Sequence, residues 1–242
     1  MTHACRAALA VLAVAALAMT AVAQTPPAPA PGPPAPPARA PRELPLTVAT
    51  IAGRVEVRNA AGSWEVAKLR DEVAPGQAAR TVSGARVTLR TRGGHALRVG
   101  QLSQLTVPEK QPEGADAPIR ARLDGGYLWV AVGPGSVSAP TFEIDTGAVM
   151  LSAFSGATSL LLGGDGSLLV RAHLGRILCK GTSGGAAWER PLKAGEELLV
   201  PAGGVPPPPR PLVRDRPDDN WARWNREQDK AGGYGGPAPA AR

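Results

Sequence analysis

Between Leu46 and Gly203 apolar residues recur at every second position, in short segments broken by glycine, and no long window there carries a helical period. Successive side chains of a strand point to opposite faces, so this alternation specifies half-buried strands and leaves no apolar stripe for a helical core. Ile51, Gly53, Val55 and Val57 share one face against Ala52, Arg54, Glu56 and Arg58 on the other. Ala85, Val87 and Leu89 likewise oppose Arg86, Thr88 and Arg90, after which Arg92-Gly93-Gly94 predicts a hairpin returning through Leu97 and Val99. The pattern continues at Leu105 and Val107, at Leu128, Val130 and Val132, and at Phe142 and Ile144. Gly163-Gly164-Asp165-Gly166 between two leucine-rich runs marks a second hairpin. The fold class is all-β.

Aligned on their glycines, Gly53-Arg54-Val55-Glu56-Val57-Arg58 and Gly175-Arg176-Ile177-Leu178-Cys179-Lys180 share one pattern, and each run then reaches a Trp-Glu pair at Trp64 or Trp188. A shorter echo, Gly126-Tyr127-Leu128-Trp129-Val130, lies between them. A unit with one apolar face must bury it against a neighbour. The expected architecture is a twisted β-sandwich or a short β-solenoid of repeated short-strand units, with Trp64 and Trp188 in equivalent, largely buried places.

The ends of the 242-residue chain differ from its middle. Arg6, the apolar run Ala7 to Met19 and the small residues Ala21-Val22-Ala23 read as a signal peptide over residues 1–23, cleaved before Gln24. The expected location is therefore periplasmic or secreted, with no membrane span after cleavage. Residues 24–45 are a Pro/Ala-rich linker, 46–203 the β-domain, 204–217 a second Pro-rich linker, 218–231 a short Trp-containing helix and 232–242 a disordered tail. Cleavage removes Cys5 and leaves Cys179 alone in an apolar run, so no disulfide framework is expected and Cys179 reads as core.

A net charge of +7 and a pI near 10.1 favour anionic partners at long range. No stretch interleaves basic residues with stacking aromatics, which argues against nucleic acid.

In order along the chain, several elements resemble the FecR-like domain, the periplasmic domain of FecR-type regulators. They include Gly53-x-Val55-x-Val57, Pro75-Gly76-Gln77 leading to Arg80-Thr81, Ala85-x-Val87-x-Leu89 ending at Gly93-Gly94, and Ser103 with Leu105 and Val107. Gly126-x-Leu128-x-Val130, Phe142-x-Ile144-x-Thr146, Gly175-x-Ile177-x-Cys179 and Ala194-Gly195-Glu196 complete the series. Where many members carry a Gly-Thr pair, this chain has Ser155-Gly156-Ala157-Thr158. The resemblance implies a protein-binding or signalling module of the bacterial envelope. Few residues precede the apolar run, so the expected form is stand-alone and exported, without the cytoplasmic half that binds a sigma factor. The alternative is a cell-wall carbohydrate or anionic-polymer binder, and the expected partner is correspondingly an envelope protein or an anionic cell-wall polymer.

No catalytic, cofactor-binding or metal-binding constellation is evident, and no enzymatic activity or cofactor is expected. His95 falls in a hairpin turn and reads as solvated; His173 reads as lying beside a strand end, with no ligand at metal spacing. Ser155 lacks the flanking glycines of a nucleophile elbow and reads as a turn serine. Asp165 reads as a turn former, and Glu196 and Glu197 as pointing to opposite faces.

The candidate binding residues are Arg86, Arg90, Arg92 and Arg98, which form an outward stripe over a hairpin, and Trp221 and Trp224, one turn apart in the C-terminal helix. The expected buried face of that helix continues through Gln228 and Ala231, with Asp219 and Arg223 as an i,i+4 pair. So short a helix must dock to persist, first of all onto its own β-domain.

Overall fold

The computed structural model describes residues 44–114, 116–133, 139–213 and 220–234. The expected signal peptide, its cleavage site, nearly all of the first linker and Asp219 lie outside these residues. Leu44, at the end of that linker, is already buried.

The first eight strands are β1 (Leu46–Ala52), β2 (Val55–Arg58), β3 (Trp64–Val66), β4 (Glu72–Val73), β5 (Ala78–Thr81), β6 (Arg86–Arg90), β7 (Ala96–Val99) and β8 (Gln104–Thr106). They are followed by β9 (Ile119–Val132), β10 (Phe142–Asp145), β11 (Val149–Leu162), β12 (Leu168–Ser183), β13 (Ala186–Lys193), β14 (Glu196–Val200) and β15 (Arg210–Pro211). Helix α1 is Asn220–Gly232. The fold is all-β with one short C-terminal helix. β15 falls within the expected second linker and pairs with β14, so that segment is not wholly a spacer.

All fifteen described strands belong to one hydrogen-bonded network, which folds into two layers because three strands are long enough to serve both. The first layer runs β4–β1–β6–β7, through the second halves of β9 and β11 and the first half of β12, to β14 and β15. The second runs β3–β2–β5–β8, through the first half of β9, then β10, the first half of β11 and the second half of β12, to β13. Inward residues of both layers, from Leu46 and Val48 to Leu192 and Leu198, merge into one core. This is a sandwich whose sheets share strands of 14 to 16 residues, not a stack of short-strand repeats.

Val55–Arg58 and Ile177–Lys180 are both in strands, but Gly53 lies in the turn that splits the expected Ile51–Arg58 strand into β1 and β2, Gly175 lies inside β12, and the two tryptophans are not equivalent. Trp64 pairs opposite Arg58, on the outward face of β2, whereas Trp188 pairs opposite Gly181, on the inward face of Cys179 and Ile177. Residues 59–63 connect the first hairpin and Gly184-Gly185 the second, and the registers they set differ by one residue relative to the leading glycine. A one-residue slip moves a side chain to the other face of a sheet. Trp64 is therefore only half-buried, with the Arg80 guanidinium 4.2 Å from its ring centre, while Trp188 is buried.

Ser155 is not in a turn. It sits inside β11 between two register shifts of the β11–β12 ladder. Asp165 does shape its turn, its carboxylate accepting the Ser167 N–H and hydroxyl. Cys179 is fully buried, and desolvation pushes its thiol up to about 12.

Candidate functional site

The outward face of the first layer is not a solvated stripe. Cross-strand register aligns Thr88 with Arg98, Arg98 with Trp129, Trp129 with Ser159, Ser159 with Arg171, and Arg171 with Glu197, so one row of mainly polar side chains crosses the sheet. Helix α1 lies over the middle of that row. Ala222 packs with Ala96, Trp129, Ala131 and Ala157 in a second apolar cluster. Small alanines on the sheet allow the helix backbone to approach.

The polar anchors are Asn225 and Asp229, which with Ala222 form the buried face of the helix. Arg98 Nη1 donates to Asp229 Oδ1 at 2.6 Å, and Trp129 Nε1 donates to Asp229 Oδ2 at 2.9 Å. Burial raises the Asp229 carboxyl above its usual range, although Arg98 and Trp129 pull it the other way. Gly233, at φ +78°, ends the helix, and the Tyr234 N–H closes back on the Asp229 carbonyl at 2.9 Å. Tyr234, assigned to the expected tail, is buried and its hydroxyl donates to the Gly94 carbonyl.

Helix self-docking is therefore as expected, but through a different face. Gln228 and Ala231 are exposed, and Arg223 meets Asn220 Oδ1. Sequence reasoning missed Asn225 and Asp229 because a polar residue on a helix reads as solvent-facing until a partner is known. The available signal was their spacing from Ala222, at i+3 and i+7.

The four arginines separate. Arg98 is withdrawn from solvent by Asp229. Arg90 at the end of β6 and Arg92 in the following turn are exposed and away from the helix N-terminal end. Arg86 alone joins the tryptophans, its guanidinium carbon 4.6 Å from the Trp224 ring centre. Trp221 and Trp224 stack at 5.4 Å, and Trp221 also lies beside Gly100 and Tyr127. Together Arg86, Gln101, Tyr127, Asn220, Trp221 and Trp224, with Gly84 and Ala85, line an open cleft of about 440 Å³ between helix and sheet.

His95 lies in the β6–β7 turn as expected but is half-buried rather than solvated, and His173 lies within a strand rather than beside its end. His95 accepts the Gly133 N–H at 3.0 Å and sets its ring edge-on to Phe142. His173 lies inside β12, stacked on Trp129 at 4.4 Å with Nε2 2.9 Å from Ser159 Oγ. Ser159 is buried beside the helix, at a small opening that Tyr127, Arg171, Trp221 and Ala222 also line. Glu196 and Glu197 do diverge: Glu197 is buried between Arg171 and Arg210, while Glu196 accepts the Lys193 N–H. Among the described residues no His, Cys, Asp and Glu group is placed to hold a metal ion, and no helix is long and apolar enough to cross a membrane.

No family model and no curated protein matches this chain. Two crystal structures of a candidate anti-sigma factor from Parabacteroides distasonis are similar to it at 11% and 12% identity, each with a TM-score of 0.47. Each match covers 61% of this chain and 64% or 63% of the other, so the chain spans less than two thirds of their length.

Proposed function

We propose that the chain is an exported, non-catalytic, FecR-like binding module of the bacterial envelope that engages a protein partner at the Trp221–Trp224–Arg86 cleft. The ordered sequence elements support the family reading, and the signal-like N-terminus supports export. One observation carries the assignment to the cleft. Helix α1 spends its polar anchors on its own sheet, yet leaves two tryptophans and an arginine around an opening of about 440 Å³. Tryptophan and arginine supply most of the energy at protein interfaces when they meet in such a pocket.

A photo-crosslinking residue at Val82, exposed two positions before Gly84, tests this in envelopes of producing cells. The expected product is one discrete, protease-sensitive adduct that is absent when the crosslinker replaces Lys180 in the other layer. A protease-resistant adduct would instead support the cell-wall polymer reading, for which Arg90 and Arg92 are the exposed cations.

A further inference from the structure

We infer that the cleft takes an acidic peptide segment, its carboxylate held by Arg86 and the amide N–H groups of Gln101 and Asn220, its apolar body laid on Trp221 and Trp224. This rests on the binding-module reading and names the chemistry the cleft recognises.

Hydrogen-bond donors predominate among the polar groups of the lining. Gln101 Oε1 accepts the Gly84 N–H at 3.0 Å, which fixes the amide and leaves Nε2 as the group still to be satisfied. Asn220 Oδ1 accepts from Arg223, leaving its own Nδ2 in the same position. Arg86 rests on Trp224 and makes no ion pair among the described residues. Trp221 Nε1 is buried without a hydrogen-bond partner among them. No carboxylate lines the cleft among the described residues; its side-chain oxygens are the Tyr127 hydroxyl and the amide oxygens of Gln101 and Asn220, and each amide oxygen already accepts one hydrogen bond.

Such a lining satisfies groups that only accept: carboxylates and peptide carbonyls. A neutral saccharide is matched less well, because it offers this lining no charged acceptor for the Arg86 guanidinium. A single guanidinium matches one carboxylate rather than a polyanion. The stacked indoles offer the apolar area that a neighbouring aromatic or aliphatic side chain would cover.

The test is a titration of the full chain, isotopically labelled, with an acetylated tetrapeptide amide of sequence FDEL, its neutral isostere FNQL, and trigalacturonate. The indole N–H signals are followed by NMR. FDEL is expected to shift the Trp221 and Trp224 signals while Trp64 and Trp188 stay in place, with FNQL about ten-fold weaker. Arg86→Gln should weaken FDEL by about ten-fold, and Arg90→Gln, on the same strand outside the cleft, should leave it unchanged. Equal binding of FNQL, indifference to Arg86→Gln, or binding of trigalacturonate without FDEL would each overturn the inference. In cells, a Val82 protein adduct that forms equally with Arg86→Gln overturns the carboxylate assignment and leaves the binding-module reading standing. Absence of any Val82 adduct overturns both.

Discussion

Arg98 and Asp229, 131 positions apart in the chain, form an ion pair at 2.6 Å with side-chain exposures of only 3% and 4%. Their pairing fixes where α1 sits, because Asp229 also takes the Trp129 indole N–H and Arg98 also reaches Asn225. Removing one member strands a buried charge. Asp229→Ala or Arg98→Ala should each cost about 3–5 kcal/mol in denaturant unfolding. Joint replacement, Arg98→Met with Asp229→Leu, should cost less than either alone, since it strands nothing; a double cost equal to the sum would show that the two sites act independently.

Two carboxylates should respond to acid with opposite signs. Hydrogen bonds from Arg54 and Arg80 hold Glu56 below its ordinary value of 4.5, so its contribution is present above that value and is lost as pH falls through the lower, folded-state value. Burial raises Asp229, so its contribution is fully present below its ordinary 3.8 and declines as pH rises through the higher, folded-state value. Urea midpoints measured across the acid range should fall less steeply for Glu56→Gln than for wild type and more steeply for Asp229→Asn.

Trp188 and Trp64 give a direct test of the register slip. Trp188→Ala empties a core position against Gly181 and should cost about 3–5 kcal/mol. Trp64→Ala removes a half-buried ring and its contact with Arg80, which should cost about 1 kcal/mol or less. Similar costs at the two positions would restore the repeat that the alternation suggests.

Cys179 should be inert in the native state. Its thiol, buried and held near 12, offers almost no thiolate at neutral pH. Ellman's reagent should label it only after denaturant is added; stoichiometric labelling of the native chain would mean that the β11–β12–β13 region opens readily.

Which face a strand residue occupies was legible in the sequence, and nearly every alternating segment became a strand with the assigned side inward. What covers a face was not. Arg86, Arg90 and Arg98 carry the same alternation signal, yet one lines a cleft, one meets solvent and one is buried, because the difference is made by a helix whose Asp229 is 131 residues downstream of Arg98. Strand length was hidden for another reason. β11 and β12 cross from layer to layer through bulges, each of which shifts the period and makes one long strand read as two short ones. Trp221 and Trp224 were legible as aromatic area that must find a surface; Asp229 was not, since its value to the fold is a hydrogen-bond geometry.

That crossover yields the last prediction. Gly156 and Gly175 pair directly opposite each other between the two bulges, both with φ above +80° or close to it. A Cβ on Gly175 would lie 1.9 Å from the Ser155 carbonyl oxygen, so alanine there meets both an unfavourable left-handed backbone and a rigid backbone clash. Gly195 isolates the first effect: its φ is +85° but a Cβ would meet nothing within 4 Å. Gly164 carries neither, with no positive φ and open space around it. Gly164→Ala should therefore change stability by less than about 0.5 kcal/mol, Gly195→Ala should cost about 1–2 kcal/mol, and Gly175→Ala should exceed about 3 kcal/mol because the clash adds to the strain. Unfolding curves for the three variants order these costs. If Gly175→Ala proves no worse than Gly195→Ala, the strands must be able to part at the crossover, and the two layers would not be locked together by β11 and β12.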